Sequence, residues 1–264
     1  MSEVVRAHVA GLEEKGTAKG AEVVVTRVEA AQGERGPRFY LEGEGDRPFI
    51  RMNANSYLGL GLHPEVIRAE EETARAFGAG PGAVRFIAGT YAPHVALERA
   101  LAGFHGREAG MIFSSAYATV MGTLVPLIDR STLVISDELN HNCIINAMRL
   151  ARPLDKKIYP HLDLPELDRL LEEGKGSAQR ALVVTDGIFS MRGDHAPVDE
   201  IMDIARKHDD GYPENVIVVV DDSHGVGAFG QTGRGTEEYT GSEPSDVLIG
   251  TLGKAFGVNG GYVV

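Results

Sequence analysis

The sequence predicts a globular α/β protein with one mostly parallel β-sheet that lies between helices. From about residue 109, short apolar runs alternate with segments of helical spacing, a pattern typical of βαβ units. The run Val216–Val220 (VIVVV) has no polar face, which predicts a central strand buried on both sides. The 264 residues are enough to enclose a sizeable core of this kind.

The elements are predicted in chain order as follows. Residues 1–56 form an N-terminal helix and an irregular or strand-like arm, and residues 57–264 form a large domain. Two helices, His63–Phe77 and Pro93–Phe104, flank a glycine-rich turn at Gly78–Gly82. Seven strands are predicted further along the chain: Gly110–Ser114, Leu133–Ser136, Lys157–Tyr159, Ala181–Thr185, Val216–Asp221, Val247–Thr251 and Gly261–Val264. Amphipathic helices are predicted between them, at Asn140–Leu150, Leu164–Glu173 and Val198–His208.

The composition restricts the classes of function. Lys plus Arg is 26 and Asp plus Glu is 38, so the net charge of −12 argues against a general nucleic-acid or membrane-surface binder. No apolar run approaches the roughly 18 residues of a membrane span. The N-terminus carries charges throughout and does not resemble a signal peptide, and Cys143 has no partner for a disulfide or a Cys-based zinc site. We therefore expect a cytoplasmic protein.

A lysine lies in an apolar setting just after the strand predicted at Val247–Thr251. In the segment VLIGTLGKAFG, Lys254 is surrounded by glycine and hydrophobic residues. A desolvated lysine loses its proton more readily and can become an imine-forming nucleophile. An exposed surface lysine fits the local composition equally well. The segment is not a phosphate-binding P-loop, because Leu248 stands where the first glycine should be.

A carboxylate pair and a histidine, Asp221-Asp222-Ser-His224, follow the most apolar strand. In open α/β sheets, ligands bind beyond the carboxyl ends of the strands, where a carboxylate could meet a cation such as a pyridinium nitrogen. A turn cap is the simpler interpretation, and a metal site at Asp222 and His224 lacks further ligands at a recognisable spacing. Gly225–Gly230 formally matches GxGxxG, but no hydrophobic helix follows it, so a loop is favoured over a dinucleotide site.

Two further segments follow predicted strands. Phe113–Thr119 joins a strand to a helix, whose free N–H groups could hold a phosphate. His141 follows the strand at Leu133–Ser136 and could stack on a flat ring, although alone it is more often a structural histidine. An imine-forming lysine, a carboxylate, a phosphate cradle and a stacking histidine at one sheet edge together describe the requirements of pyridoxal 5′-phosphate (PLP).

The chain resembles the α-oxoamine synthases, PLP-dependent enzymes of fold type I, the aspartate-aminotransferase-like fold. The resemblance runs from about Asn53 to Val264, most of the chain. The matching segments are Asn55–Leu60, Val84–Thr90, Ile135–His141, Asp186–Asp194, Asp221–His224, Gly233–Gly235 and Thr251–Lys254. Within the family, the glycine C-acetyltransferases look most similar, followed by the 8-amino-7-oxononanoate synthases.

The resemblance implies a role for each site residue. Lys254 would hold PLP as an imine and move the α proton of the substrate. Asp221 would keep the pyridine nitrogen protonated, His224 would hydrogen-bond the phenolic oxygen, and His141 would stack on the ring. The remaining implied contacts are phosphate binding by the backbone of Ala116 and Tyr117 and the hydroxyl of Thr251, with Ser190 beside the cofactor and Asn55 beside the substrate. No metal is implied.

The resemblance also implies a reaction and an assembly. An amino acid, expected to be glycine, would condense with an acyl-CoA, expected to be acetyl-CoA, to give a 2-amino-3-oxo product and CoA. The alternatives are the condensation of alanine with a pimeloyl thioester by an 8-amino-7-oxononanoate synthase of the biotin pathway, or an inactive PLP-fold fragment. The family forms homodimers, and the glycine-rich apolar segments Asn55–Leu60 and Gly78–Gly82 need a surface to pack against.

The sequence departs from the family in three places. Ala116 replaces the usual Gly or Cys of the phosphate turn, and Arg192 replaces the usual Asp after Ser-Met. The chain also stops at Gly-Gly-Tyr-Val-Val, inside its last predicted strand. We therefore expect a truncated large domain without the family's small C-terminal domain, which carries the arginine that binds the substrate carboxylate.

Overall fold

The structure is a computed structural model that describes residues 2–264. It divides into two compact units, Met1–Ala54 and Asn55–Val264. The first unit contains helix α1 (Ser2–Glu14) and an antiparallel strand pair, β1 (Val25–Glu29) and β2 (Arg38–Leu41). The second unit contains the large sheet and the residues proposed above to carry the chemistry.

The large sheet has seven strands, as predicted. Its strands are β3 (Met111–Phe113), β4 (Thr132–Asp137), β5 (Asp155–Tyr159), β6 (Arg180–Asp186), β7 (Val216–Asp221), β8 (Val247–Thr251) and β9 (Gly261–Val263). The spatial order is β3-β9-β8-β7-β6-β4-β5. The five strands from β8 to β5 are parallel, whereas β9 lies antiparallel between β3 and β8. Because β7 is the fourth of seven, the prediction of a central strand is confirmed.

Helices cover both faces of this sheet. The helices of the second unit are α2 (Pro64–Phe77), α3 (Ala92–His105), α4 (Ala116–Leu127), α5 (Asn142–Ala151), α6 (Leu164–Gly174), α7 (Val198–His208) and α8 (Thr236–Thr240). Helices α6 and α7 pack with one hydrophobic cluster of the sheet, and α4 and α5 pack with the other. None of the helices within residues 2–264 has the length and apolar character needed to cross a membrane.

Side-chain alternation along β7 determines which face each residue contacts. Val218 and Val220 belong to the cluster on the α6 and α7 side, whereas Val219 belongs to the cluster on the α4 and α5 side. All three are fully buried, and burying a valine contributes roughly 1.5–3 kcal/mol. Since alternate residues share a face, Asp221 continues the face of Val219 and Asp222 continues that of Val220.

Helix α5 begins two residues later than predicted. The prediction placed its start at Asn140, but His141 is the N-cap, and its Nδ1 accepts a hydrogen bond from the Cys143 backbone N–H at 3.3 Å. Capping by a side chain satisfies an N–H group that the helix itself cannot bond. The predicted helix Val198–His208 has the bounds observed for α7.

Candidate active site

The carboxyl ends of β4, β6, β7 and β8 meet at one edge of the sheet, together with the N-terminus of α4. This is the edge at which parallel α/β sheets bind ligands. An inner cavity lies here, lined by Ala116, Tyr117, His141, Cys143, Asp186, Ile188, Ser190, Asp221, Ser223, His224 and Lys254. An outer cavity adjoins it, lined by Asn55, Tyr57, Ile188, Phe189, Ser190, Gly193, His224, Ala228 and Phe229. The two cavities share Ile188, Ser190 and His224.

The structure therefore brings most of the predicted site residues together. Seven of them line the inner cavity: Ala116, Tyr117, His141, Ser190, Asp221, His224 and Lys254. Asn55 lines the outer cavity. Thr251 lines neither of them. Its hydroxyl donates to the Gly260 carbonyl at 3.3 Å and accepts from the Gly253 N–H at 3.2 Å.

The carboxylate of Asp221 is held in a fixed orientation at the end of β7. Its Oδ1 accepts hydrogen bonds from the Ser223 hydroxyl at 2.6 Å and from the Ser223 backbone N–H at 3.2 Å. Its Oδ2 lies 3.9 Å from the Sγ of Cys143 in α5. Only 7% of Asp221 is exposed, so a cation in the inner cavity would meet a carboxylate that is already oriented and largely desolvated.

Asp222 faces the opposite side of the sheet and is fully buried. Its two oxygens accept hydrogen bonds from Thr236, one from the backbone N–H at 2.7 Å and one from the hydroxyl at 2.6 Å. A Cβ added at Gly187, Gly225 or Gly235 would collide with this carboxylate. Gly225 is the first glycine of the formal dinucleotide motif, and the space that Asp222 occupies explains why a glycine stands there.

The electrostatic surroundings of Lys254 favour a reactive amine. Burial lowers the pKa of Lys254, while the nearby carboxylates of Asp221 and Asp186 act in the opposite direction. A lower pKa increases the fraction of neutral amine, which is the nucleophilic form. The carboxyl of Asp186 is buried beside Asp221, and both burial and that neighbour raise its pKa. The cavity thus holds one amine and two close carboxyl groups.

Two reciprocal hydrogen bonds hold His141 at the cavity. The backbone N–H of His141 donates to Oδ2 of Asp186 at 3.2 Å, and the backbone N–H of Asp186 donates to Oδ1 of Asn140 at 2.8 Å. The Asn140 amide also donates to the Val184 carbonyl at 2.7 Å. We call this arrangement the Asn140–Asp186 clasp. It joins the turn before α5 to the end of β6, so it fixes the position of the imidazole relative to the sheet.

His224 forms the boundary between the two cavities. Burial, together with the positive charges of Lys254 and His141, lowers the pKa of His224 to about 4. Its imidazole is therefore neutral at neutral pH. The phenolic oxygen of Tyr57 lies 2.6 Å from its Nδ1.

The N-terminus of α4 offers free N–H groups to the inner cavity. Ser115 is the N-cap, and its hydroxyl oxygen accepts from the Ala118 N–H at 3.1 Å. Ala116 and Tyr117 are the first two helical residues, whose N–H groups have no acceptor within the helix. Together with the helix dipole, these N–H groups suit an anion such as a phosphate. Gly261 of β9 lets the strand approach closely, since a Cβ there would lie 2.6 Å from the Ala116 nitrogen.

Sequence reasoning assigned no role to three residues that the structure places at the cavities. Asp186 ends a buried strand just as Asp221 does, so the signal used for Asp221 was present there too. Cys143 and Tyr57 gave no comparable signal, because one is a lone cysteine and the other is far from His224 in sequence. Within residues 2–264, no three His, Cys, Asp or Glu side chains are arranged to hold a metal ion.

The groups of the inner cavity fit PLP. The lysine of lowered pKa suits its aldehyde, and the oriented carboxylate suits its pyridine nitrogen. The neutral imidazole suits its phenolic oxygen, and the helix N-terminus suits its phosphate. The fold and the site are those of the PLP-dependent enzymes of fold type I. The chain belongs to the aminotransferase class I and II family, which matches residues 47–264, and within it to the α-oxoamine synthases.

Individual relatives support this assignment. The chain is 42% identical to 8-amino-7-oxononanoate synthase 1 of Bacillus subtilis (strain 168) over 214 residues, which are 81% of this chain and 53% of that protein. It is 44% identical to the 8-amino-7-oxononanoate synthase of Exiguobacterium sibiricum over 218 residues, 82% of this chain and 54% of that protein. The chain thus spans about half the length of the curated relatives it matches.

Solved structures show the same fold. The serine palmitoyltransferase of Sphingomonas wittichii superposes with a TM-score of 0.83 at 29% identity, covering 98% of this chain and 61% of that chain. A serine palmitoyltransferase from S. paucimobilis, solved with a bound PLP–myriocin aldimine, gives a TM-score of 0.84 at 29% identity. The superposition covers 98% of this chain and 62% of that chain. The predicted family, fold and cofactor are confirmed. The relatives favour 8-amino-7-oxononanoate synthase, the stated alternative, over the glycine and acetyl-CoA interpretation that the motifs suggested.

Proposed function

We propose that this protein is an 8-amino-7-oxononanoate synthase, which condenses alanine with a pimeloyl thioester and releases CO2 and the free thiol. The observation that carries the proposal is the 42–44% identity to two enzymes of that name over more than four fifths of this chain. The donor set of the inner cavity supports it, because acyl transfer of this kind needs a stabilised α-carbanion.

PLP, when bound, supplies an electron sink for the negative charge that forms at the α-carbon. Lys254 would hold its aldehyde carbon, and Asp221, fixed by Ser223, would keep a proton on its pyridine nitrogen. His224 would donate a hydrogen bond to its phenolic oxygen, and His141 would lie against its ring. The N–H groups of Ala116 and Tyr117 would hold its phosphate, as the helix N-terminus favours.

Lys254 also has a second task in this proposal. Its amine would also take the α proton of the substrate, because burial lowers its pKa and so increases the fraction of the neutral, basic form. Asn55 lies on the outer cavity, which opens onto Ser190 and His224 at the border with the inner one. We therefore assign Asn55 to the substrate side and Ser190 to both sides.

We also propose that the protein acts as a cytoplasmic homodimer. Phe86 and Ile87, on the short helical turn Arg85–Gly89, are 89% and 73% exposed. Leu58, three residues after Asn55, is 54% exposed. Exposed apolar side chains of this size favour contact with another surface. A second copy of the chain would bury them.

The test is an assay of thiol release by the full-length enzyme with three substrate pairs. Alanine with pimeloyl-CoA should be turned over at least tenfold faster than glycine with acetyl-CoA or serine with palmitoyl-CoA. The Lys254→Ala variant provides the background rate of thioester hydrolysis. Preference for glycine and acetyl-CoA would replace the proposed activity with the motif-based one, and no PLP-dependent thiol release with any pair would contradict both.

A further inference from the structure

Tyr57 and His224 form a hydrogen bond that the roles assigned above do not use. The phenolic oxygen of Tyr57 lies 2.6 Å from Nδ1 of His224, although 167 residues separate them. Their rings are 6.2 Å apart and tilted by 44°, so the contact is made by the polar atoms and not by stacking. Tyr57 lines the outer cavity, whereas His224 lines both cavities. The bond engages Nδ1 and leaves Nε2 of this cavity-lining imidazole for another partner.

The chemistry of the two groups sets the direction of this bond. His224 is neutral at neutral pH, because burial and the charges of Lys254 and His141 lower its pKa to about 4. Burial also raises the pKa of Tyr57, so its phenol keeps its proton. A phenol is a stronger donor than a neutral imidazole N–H, and the imidazole lone pair is a stronger acceptor than a phenolic oxygen. Donation from Tyr57 to Nδ1 is thus the favoured arrangement.

A neutral imidazole carries one proton, so the bond made by one nitrogen determines the state of the other. We propose that Tyr57 is a positioning residue that donates to Nδ1 of His224 and thereby holds the ring proton on Nε2, where it serves as the hydrogen-bond donor to the phenolic oxygen of PLP. The inference rests on the proposed function for the identity of the cofactor. It adds the residue that selects the imidazole tautomer.

The test is a pH titration of the visible absorption band of PLP in the full-length holoenzyme without substrate. Tyr57→Phe keeps the aromatic ring and removes the donor. A donor to the phenolic oxygen stabilises its anion, so weakening that donor should raise the apparent pKa of the band, by about half a unit or more. Tyr239→Phe is the matched control, because Tyr239 is similarly exposed (55% against 44%) and its ring contacts His195 and Phe229.

A double substitution distinguishes a tautomer effect from a general one. In a His224→Gln background, the side-chain amide donates whether or not Tyr57 is present, so Tyr57→Phe should then shift the band by less than half as much as in the wild type. An equal shift in both backgrounds, or no shift with Tyr57→Phe alone, would overturn the role of Tyr57. A full-length protein that shows no PLP band at all would instead contradict the proposed function.

Discussion

Asp221 and Asp222 are adjacent carboxylates that face opposite sides of the sheet, and their amide variants should have different consequences. Asp221 lines the inner cavity, and Asp222 is enclosed by glycines and Thr236. Asp221→Asn should therefore impair chemistry, whereas Asp222→Asn should alter the pH dependence of stability. Each variant serves as the matched control for the other, because both replace a buried carboxylate with an amide at the end of β7.

The magnitude for Asp221→Asn follows from the loss of a charge in the cavity. A neutral amide cannot keep a proton on a pyridine nitrogen, and removing one preorganised electrostatic contact of this kind commonly lowers kcat by about 10²–10³-fold. The amide remains within reach of the Ser223 hydroxyl, which can rotate to donate or accept. The free energy of unfolding should therefore change little.

The magnitude for Asp222→Asn follows from burial. Asp222 is fully buried, and burial raises its pKa from 3.8 to about 7. Because the folded-state pKa is raised, the contribution of this group to stability is complete below pH 3.8, is lost progressively as the pH rises, and is gone once the pH has passed through about 7. At about 1.4 kcal/mol for each pKa unit, the loss is at most about 4 kcal/mol. Asparagine stays neutral, so the variant should lose about 1 kcal/mol at low pH, from one poorer hydrogen bond to Thr236. It should gain stability relative to the wild type as the pH rises from 3.8 to about 7, and the difference should level off above pH 7.

The assay pairs turnover with thermal unfolding between pH 4 and pH 8.5 on the full-length protein. We expect Asp221→Asn to lose activity with an unchanged Tm profile. We expect Asp222→Asn to keep most activity, with a Tm that rises relative to the wild type between pH 4 and pH 7 and a constant difference above pH 7. Crippled turnover in Asp222→Asn together with near-normal turnover in Asp221→Asn would refute the assignment. The carboxylate that serves the cofactor would then be Asp222, and the register at the end of β7 would be wrong by one residue.

Further measurements test other parts of the site and fold. Lys254→Ala should abolish turnover and the borohydride-reducible attachment of PLP while leaving the circular dichroism spectrum unchanged. Asn140→Asp should weaken PLP binding by roughly tenfold, because it removes the amide donor to the Val184 carbonyl and adds a carboxylate beside Asp186. Asn142→Asp, the same exchange at an exposed position in the first turn of α5, is the control. Burial lowers the pKa of His105 from 6.5 to about 4, so the unfolded state binds the extra proton between these values; His105→Gln should lose less stability than the wild type as the pH falls from 6.5 to 4. Phe86→Glu should shift the full-length protein from dimer to monomer in sedimentation equilibrium, and an unchanged dimer would remove that residue from the proposed interface.

The parallel core was predictable because its signals are local. The strand at Val216–Val220 is apolar on both faces, and only a strand covered on both sides satisfies that pattern. The helix Val198–His208 was equally clear, since its apolar positions repeat at helical spacing and its last turn is basic. The convergence of Asp221, His224 and Lys254 followed from one rule, that parallel strands end at a common edge.

Features that depend on long-range contact were not predictable. The short strand Gly261–Val263 pairs antiparallel with both β3 and β8, and nothing in its three residues indicates its direction. The hydroxyl of Thr251, which the resemblance assigns to the phosphate, bonds to Gly253 and Gly260, and neither contact could be read from the sequence. The bond from Tyr57 to His224 joins residues 167 positions apart, and no periodicity encodes it.

At the end of β7, one of two adjacent carboxylates lines the candidate active site and the other contributes to packing. Because successive side chains of a strand point to opposite faces, Asp221 lies on the side of the N-termini of α4 and α5, where the inner cavity is. Asp222 lies on the other side, against the segment that contains Gly225 and Gly235. Asp222 accepts hydrogen bonds from the backbone N–H and the hydroxyl of Thr236, so it connects the start of α8 to the sheet. His224 lies in the chain between Asp222 and Thr236. A side chain at Gly235 would meet the Asp222 carboxylate and would also have to adopt a φ of +98°. Glycine is therefore required there to close the packing around Asp222, and that packing in turn holds His224 at the border of the two cavities.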